Sequence, residues 1–255
     1  MKIEGKNLTK VYQGQEVLHG IDLVIEDKSC LGIMGESGSG KSTLARLLAG
    51  LEQPDGGQIL YQGRELKDYR GGEKKQLRRD IQVVFQNAFG AVNPNFTVED
   101  VLREPIKIRQ KHGNKRLLKS YLQLVGLENI QLKQMARSLS GGQLQRLCIA
   151  RSLLMEPDVL VLDEALSGLD YLVQKQVLRL LGDLKTRFHL TYIFIVHDFL
   201  LAYYLCDQVL FLDQGKEIDL LDLNQDVLEI HHPITKNSLK NFLDSKPSIH
   251  VKEMY

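Results

Sequence analysis

A phosphate-binding pattern near the N-terminus constrains the fold of this chain more than any other feature. The pattern G-x-x-x-x-G-K-[ST], followed by a threonine, is formed by Gly35, Glu36, Ser37, Gly38, Ser39, Gly40, Lys41, Ser42 and Thr43. Its glycines let successive backbone N–H groups curl around phosphates, Lys41 reaches the β- and γ-phosphates, and Ser42 can bind Mg²⁺. The sequence therefore predicts a nucleotide-phosphate site, with a glycine-rich turn that binds nothing as the alternative.

The residues on both sides of this loop predict an α/β fold. An apolar run from Leu31 to Met34 indicates a buried strand before the loop. Behind the loop, apolar residues recur at helical spacing, namely Leu44, Leu47, Leu48 and Leu51. The loop thus opens a helix whose positive N-terminus favours an anion. Kinases, GTPases and many other ATPases share such a loop, so it does not fix the reaction.

A second apolar run, Val159 to Leu162, is followed at once by two acids, Asp163 and Glu164. Ligands of open α/β sheets bind at the carboxyl ends of strands, which is where this run places both carboxylates. Asp163 is the expected Mg²⁺ partner, and Glu164 is the candidate general base or water-positioning group. Adjacent acids are often only a solvated turn, but the phosphate loop favours a site.

A third segment predicts a second anion site at a helix start. Ser140 and Gln143 have the spacing of a capping box. The helix continues through Leu144, Leu147, Cys148 and Leu154, and Pro157 ends it. The backbone N–H groups of Ser140, Gly141 and Gly142 then lie at a positive helix end. The alternative is a helix cap that binds no ligand. If both helix starts bind anions, two chains are expected to share each nucleotide.

Together these segments resemble the complete motif set of the ABC transporter ATPases, over nearly the whole chain. The set consists of the phosphate loop, Gln86 after Val83-Val84-Phe85, the signature Leu139-Ser140-Gly141-Gly142-Gln143, Asp163-Glu164, the loop Ser167-Gly168-Leu169-Asp170, and His197. The resemblance implies an α/β P-loop NTPase with a RecA-like core, an N-terminal antiparallel β layer and an inserted helical subdomain. It also implies ATP and Mg²⁺ as ligands, in head-to-tail pairs of ATPases.

The resemblance also implies a role for each site residue. Tyr12 would stack on adenine, Lys41, Ser42 and Thr43 would hold phosphates and Mg²⁺, and the signature, including Gln143, would contact the ATP of the facing chain. Gln86 would sense the metal and the attacking water, and Glu164 would act on that water. Asp170 would bridge the subunits and His197 would contact the γ-phosphate. The family commonly has Ala where this chain has Gly168, a departure that predicts looser coupling between two ATP sites.

Pattern changes along the chain predict four segments. Residues 1–86 form the first part of the ATP-binding core, with an antiparallel layer in residues 1 to 30. Residues 87–156 form the helical subdomain, in which Thr97 and Asp100 cap a helix that Pro105 breaks. Residues 157–218 complete the core, and residues 219–255 form a C-terminal tail whose last ten residues are expected to be poorly ordered. Aromatic and polar residues in 87–105, such as Phe89, predict a contact with membrane proteins.

Composition favours an intracellular subunit without a nucleic-acid partner. The chain has 33 Lys and Arg against 32 Asp and Glu. Cys30, Cys148 and Cys206 lack metal-binding spacing and are expected to be reduced thiols, and His231-His232 is expected to be a surface pair. The N-terminus lacks a signal-peptide pattern and no segment is long and apolar enough to span a membrane, so a membrane role would come through partner chains.

Further segments are similar to the ATPases of nickel, dipeptide and oligopeptide importers, and most similar to the second nickel ATPase. They are 78–86, 91–94, 102–105, 140–146 and 232–236. This implies two membrane permease subunits, a paralogous second ATPase in preference to a second copy, an extracytoplasmic substrate-binding protein that acts indirectly, and a peripheral position on the cytoplasmic face of the cell membrane. Nickel or a nickel chelate is favoured over dipeptides or oligopeptides. Two further classes of function, a soluble ABC ATPase acting on DNA or ribosomes and a non-hydrolysing regulatory binder, are less favoured.

Overall fold

The chain forms two sheets and a layer of helices, seen in a computed structural model that describes residues 1–110, 113–225 and 230–239. The strands are β1 (Ile3–Tyr12), β2 (Gln15–Ile25), β3 (Cys30–Gly35), β4 (Gly56–Tyr61), β5 (Arg64–Glu65), β6 (Ile81–Val84), β7 (Val159–Asp163), β8 (Thr191–Ile195), β9 (Gln208–Asp213) and β10 (Lys216–Asp222). The helices are α1 (Lys41–Leu48), α2 (Gly71–Asp80), α3 (Ala88–Ala91), α4 (Val98–Ile108), α5 (Lys115–Leu124), α6 (Gly141–Leu153), α7 (Tyr171–Phe188), α8 (Phe199–Leu205) and α9 (Pro233–Ser238). The predicted poor order of the last ten residues concerns positions outside the described residues.

The larger sheet carries the site because its parallel strands end at one edge. Its order is β10-β9-β3-β8-β7-β6, and all neighbours are parallel except β9 and β10. The central strands are buried on both faces, as apolar runs of a covered parallel sheet predict. The phosphate loop, Glu164, His197 and Gln86 follow four of these strands, so the topology gathers them at one edge.

The smaller sheet is antiparallel, with the order β2-β1-β4-β5. Ile21, Leu23 and Ile25 are buried and the residues between them are exposed, which confirms the predicted period of two. The prediction missed β4 and β5, which complete this layer. Gly57 of β4, at φ +80°, lies so close to β1 that a Cβ would be 2.2 Å from the carbonyl oxygen of Lys6. The pairing of β4 with β1 therefore needs glycine at this position.

The helical layer begins as predicted but passes through Pro105. Thr97 and Asp100 form the expected capping box at the start of α4. The prediction that Pro105 breaks the run was wrong, because α4 continues to Ile108. Pro105, Leu102 and Ile106 lie on the buried face of α4, and their burial outweighs the hydrogen bond that proline cannot make.

Two other predictions need correction. Helix α1 ends at Leu48, and Leu51 is 54% exposed beyond it, so Leu51 does not belong to the buried helical stripe. The core does not close at 218, because β10 crosses the predicted boundary and pairs with β9 to Asp222. The reason is tertiary: Leu221 is buried opposite Val209, although its own segment is short and acidic. The remaining segment boundaries stay predictions.

The C-terminal described segment is anchored by a buried carboxylate. Asp219 accepts hydrogen bonds from the backbone N–H groups of His231 and His232 at 3.1 and 3.0 Å. The three cysteines are buried and free, as predicted. Among the described residues, His231 and His232 belong to no cluster of ligands for a metal ion. Within the same residues, every helix is too short or too polar to cross a membrane.

Candidate functional site

The phosphate loop is a tight turn in which glycine is required at two positions. Gly35, at φ +147°, leaves β3 so close to β9 that a Cβ would meet the Leu212 carbonyl oxygen at 2.1 Å. Gly40, at φ +102°, caps α1, and a Cβ there would be 2.7 Å from Leu18. The Ser39 hydroxyl is buried without a hydrogen-bond partner among the described residues. An unpaired buried donor facing such a loop suits a phosphate oxygen.

The side chain of Lys41, the first residue of α1, folds back over the phosphate loop that precedes it. Its ammonium donates hydrogen bonds to the carbonyl oxygens of Gly35 and Glu36 at 2.9 and 2.7 Å. Burial lowers the pKa of Lys41, while the nearby carboxylates of Glu164 and Asp163 act in the opposite direction. The ammonium is therefore incompletely compensated, and an anion in the loop would stabilise its charge.

Ser42 and Asp163 meet across the edge of the sheet. The Ser42 hydroxyl donates to Asp163 Oδ1 at 3.4 Å. Burial raises the pKa of Asp163, and the adjacent Glu164 raises it further. A hydroxyl beside an under-compensated carboxylate is a hard oxygen pair of the kind that binds Mg²⁺. Thr43 is buried on the first turn of the same helix, behind this pair.

Glu164 and His197 are in direct contact. The Nε2 atom of His197 lies 2.6 Å from Glu164 Oε1, although the two residues follow different strands, β8 and β7. Glu164 itself has φ +48°, a left-handed conformation that is uncommon outside glycine. Its backbone is fixed by a hydrogen bond from Glu164 N to the Ile195 carbonyl oxygen at 3.2 Å. The structure thus brings these two predicted catalytic residues together.

Gln86 lies at the same edge of the sheet, after the end of β6. Val84 of β6 is paired with Leu162 of β7, which puts Gln86 beyond the strand that neighbours Asp163. Its side chain is exposed. Gln86 therefore faces solvent at the strand-end edge, as its predicted role requires.

The signature forms the predicted helix start, on a different part of the molecule from the phosphate loop. Ser140 and Gln143 make both bonds of a capping box: Ser140 N donates to Gln143 Oε1 at 2.9 Å, and Gln143 N donates to Ser140 Oγ at 3.3 Å. The N–H groups of Gly141 and Gly142 have no partner inside the helix. Helix α6 packs on α3, α4, α5, α7 and β6, whereas α1 packs on β1, β2, β3, β7 and β8. One chain therefore presents two separate helix N-termini of the kind that favours an anion.

The loop after Glu164 leads from the strand-end edge of the sheet to the start of α7. Asp170 caps α7 by accepting a hydrogen bond from Val173 N at 3.0 Å, and its side chain is exposed. Gly168 adopts φ +74°, where an alanine would be strained although nothing lies within 4 Å of a Cβ. Glycine therefore adopts this loop conformation without strain, and the looser coupling between two ATP sites stays a prediction.

Tyr12 is less free than its predicted stacking role suggests. It is the last residue of β1 and 36% exposed, and its hydroxyl donates a hydrogen bond to Glu52. The ammonium of Lys10 lies over the ring, 5.4 Å from its centre. The structure brings Tyr12 into contact with the loop that follows α1, a connection absent from the sequence motifs.

Sequence reasoning also missed the turn that supports the phosphate loop. Gly215, between β9 and β10, donates its N–H to the Ser39 carbonyl oxygen at 3.1 Å and accepts from His19 N at 2.9 Å. A Cβ at this glycine would lie 2.2 Å from the Val17 carbonyl oxygen. The available signal was Gly215 itself, which follows the apolar run of β9 and marks a turn.

Comparisons with known proteins agree with this geometry. The family description "ABC transporter" matches residues 18–167. Two curated relatives are the nickel import ATP-binding proteins NikE of Escherichia coli strain K12 and of Shigella dysenteriae serotype 1. Each is 41% identical over 211 residues, which are 82% of this chain and 79% of the relative.

Solved structures share the fold over most of the chain. The cbiO1 protein of Clostridium perfringens, part of the ABC transporter complex cbiONQ, has a TM-score of 0.78 and 25% identity, and the match covers 99% of this chain and 98% of cbiO1. A dimer of the ATP-binding cassette MJ0796, bound to ADP and Pi after hydrolysis, has a TM-score of 0.76 and 26% identity, with 87% and 98% covered. The fold class predicted from the sequence is confirmed.

Proposed function

This chain belongs to the ABC transporter family, and we propose that it is the ATP-hydrolysing subunit of an importer for nickel or a nickel chelate. One observation carries the catalytic part of this proposal. Helix α1 contributes Lys41 and Ser42, and the ends of β7 and β8 contribute Asp163, Glu164 and His197, so these side chains converge at one edge of the sheet. A phosphate loop alone would support binding, whereas this convergence supports hydrolysis.

Binding would use the charges that the structure leaves incompletely paired. The γ- and β-phosphates would accept hydrogen bonds from Lys41 and from the loop N–H groups, and the buried Ser39 hydroxyl would gain a partner. Tyr12 would stack on the base through the ring face opposite Lys10. Ser42 and Asp163 would hold Mg²⁺, with Gln86 nearby, and the ion would neutralise charge on the phosphate oxygens.

Hydrolysis would proceed by in-line attack of water on the γ-phosphorus. Glu164 would accept a proton from this water as the new P–O bond forms and the bond to the bridging oxygen of ADP breaks. His197, held 2.6 Å from Glu164, would orient that carboxylate and contact the γ-phosphate. Gln86 would position the water from the neighbouring strand end. Most of the rate gain would come from positioning and charge neutralisation.

A second ATPase chain would complete each site. Ser140, Gly141 and Gly142 lie away from this chain's own phosphate loop, and the N–H groups of Gly141 and Gly142 have no partner inside their helix, so this helix start suits the ATP of a facing subunit. Asp170 would bridge the pair. The dimeric cassette bound to ADP and Pi supports this arrangement by analogy. We propose a paralogue as the partner, in agreement with the predicted subfamily.

A groove between the core and the helical layer would receive the membrane partner. It has a volume of about 730 Å³ and is lined by exposed Leu51, Phe85 and Ile108, with the basic Arg78 and Arg79 at its side. Apolar side chains inside a basic margin suit an amphipathic helix with an acidic edge. Permease subunits that dock here would place this chain on the cytoplasmic face of the membrane.

The cargo is best tested by uptake. Cells with and without this chain would be given labelled nickel, free or chelated, and labelled dipeptide. The proposal predicts that loss of the chain lowers nickel uptake and nickel-dependent urease or hydrogenase activity, and that excess nickel restores the enzyme activity. Unchanged nickel uptake with lost peptide uptake would instead identify a dipeptide importer. If neither uptake changes, the importer proposal is wrong and a soluble ABC ATPase is favoured.

A further inference from the structure

We infer that Glu52, in the loop after α1, is a positioning residue that orients the Tyr12 ring for the base of ATP. The inference rests on the proposed ATP site. The carboxylate of Glu52 lies between two side chains: Tyr12 donates its hydroxyl hydrogen to Oε2, and Arg46 Nε lies 2.8 Å from Oε1. Glu52 would not touch the nucleotide, so its effect would be exerted through Tyr12.

The contact with Glu52 restricts the plane of the Tyr12 ring. A ring that is 36% exposed at a strand end would otherwise rotate among several rotamers. Fixing the hydroxyl at one end, while the ammonium of Lys10 lies over one face, leaves the opposite face for a base. A side chain that is ordered before binding loses less entropy when the ligand arrives.

Backbone contacts hold Glu52 in register with Tyr12. Val11 N donates to Asp55 Oδ2 at 2.7 Å, and Asp55 N donates to the Thr9 carbonyl oxygen at 3.0 Å. These bonds join the loop at Glu52 to the end of β1. The loop that carries Glu52 is therefore tied to the strand that carries Tyr12.

The second oxygen of Glu52 connects that loop to the phosphate-binding helix. Arg46 lies on α1, whose first residue is Lys41. Its contact with Glu52 is an ion pair, since the N–H is not aligned for a hydrogen bond. Arg46, Glu52 and Tyr12 thus join the phosphate side of the proposed site to its base side, and base stacking would add to the affinity for the whole nucleotide.

The test compares the binding of ADP, which carries a nucleobase, with the binding of pyrophosphate, which does not. Affinities of the full chain for ADP and for inorganic pyrophosphate, with Mg²⁺, are measured by competition against a ribose-labelled fluorescent ADP. We expect Tyr12→Phe and Glu52→Ala each to weaken ADP binding about three- to tenfold, the size of the entropy lost when a side chain that is no longer held in place must be ordered by the ligand. Pyrophosphate binding should not change.

Two further variants separate positioning from a structural role. Glu52→Gln keeps an oxygen acceptor for Tyr12 but loses the charge, so it should bind ADP within about twofold of wild type if the hydrogen bond is the essential contact. The double variant Tyr12→Phe/Glu52→Ala should be no weaker than either single variant, because both remove the same bond. Glu65→Ala is the control, since that carboxylate pairs with Lys67 instead, and both of its affinities should equal those of wild type.

Several results would overturn the inference. Equal loss of ADP and pyrophosphate affinity in Glu52→Ala, or a loss in Glu52→Gln as large as in Glu52→Ala, would show that Glu52 acts by supporting α1. Tighter ADP binding in Glu52→Ala would show that the bond holds the ring away from the base. Unchanged ADP binding in Tyr12→Ala would show that the Tyr12 ring does not stack on the base. A wild-type chain that binds neither ligand would contradict the proposed ATP site, independently of every Glu52 variant.

Discussion

At the scale of single residues, Glu164 stands out because its backbone is strained where its side chain would act. Its φ of +48° lies in the left-handed region, which costs a non-glycine residue of order 1–3 kcal/mol at a functional site. Ser167 holds this conformation, donating from its N–H and its hydroxyl to the Glu164 carbonyl oxygen at 2.9 and 2.8 Å. The carboxylate is therefore aimed by the backbone, and a change to an amide should leave the geometry intact.

Because the pKa of Asp163 is raised, we expect its carboxylate to lower the free energy of unfolding of the protein without ligand. Asp163→Asn removes the cost of burying a charge and the repulsion from Glu164, which together raise this pKa, so thermal unfolding without ligand should move to higher temperature at pH 7. A carboxyl whose folded pKa is raised destabilises above its unfolded pKa and is neutral below it. The gain should therefore shrink as the pH falls through the raised pKa toward the ordinary value for Asp.

The same substitution should weaken the proposed metal site. Mg²⁺-dependent ATP binding should fall at least about tenfold, because an amide oxygen replaces a charged ligand. Nucleotide binding measured against Mg²⁺ concentration, beside calorimetry of the free variant, gives both results. A variant that is less stable and binds Mg²⁺-ATP like the wild type would contradict this account of Asp163.

Site residues could be predicted from the sequence wherever a motif follows a strong strand. Lys41 and Asp163 follow continuous apolar runs, and parallel pairing brings such ends to one edge. The contact of Glu52 with Tyr12 and that of Gly215 with Ser39 could not be predicted. Each joins residues far apart in the chain through a turn that has no periodic pattern, so only the tertiary fold determines it.

At the scale of elements, the two signature glycines have different surroundings. A Cβ on Gly142 would lie 2.5 Å from a Val173 methyl group, whereas a Cβ on Gly141 would lie 3.8 Å from Leu169. Gly142→Ala should therefore separate α6 from α7 and lower the free energy of unfolding by about 1–3 kcal/mol. Gly141→Ala should stay within about 0.5 kcal/mol of wild type.

These variants also test the proposed second anion site. The Gly141 methyl group would not disturb the fold but would face the phosphate of the facing chain, so ATP-driven pairing should weaken while stability holds. Urea unfolding and light scattering with ATP measure the two effects separately. Equal loss of stability in both variants would contradict the packing described here, and undisturbed pairing in Gly141→Ala would argue against close approach of a phosphate.

Element boundaries were less predictable than element types. Helix α4 passes through Pro105 because its apolar face is buried, a tertiary effect that local propensity does not contain. Strands β4 and β5 are short and start or end at turns, so no alternation was long enough to indicate them. Strand β10 lies in an acidic segment, and its pairing with β9 makes it a strand.

At the scale of the whole molecule, the proposed importer couples ATP hydrolysis to a membrane partner. Phe89 is 56% exposed on α3, which packs on α6, the helix that starts at the signature. We expect Phe89→Ala to lower transport about tenfold or more, as loss of an exposed aromatic anchor does, and to leave basal ATPase activity largely unchanged. Leu220→Ala, an exposed apolar residue on strand β10, is the matched control and should affect neither.

Uptake and ATPase assays on the assembled transporter measure whether Phe89→Ala lowers transport without lowering ATPase activity. Crosslinking from residues 87–105 identifies the proteins that this segment contacts. Parallel loss of ATPase activity and transport in Phe89→Ala would show that Phe89 supports the site itself. Crosslinks that never reach a membrane protein would show that this surface is not the coupling contact.

The central claim is that Glu164 acts on the attacking water, in a site that two chains complete. The most direct measurement is the ATP hydrolysis rate of Glu164→Gln in the presence of its partner ATPase. The amide keeps the shape and removes the base, so ATP should bind as in wild type while hydrolysis falls by at least about 10²-fold. Hydrolysis at the wild-type rate would contradict the claim.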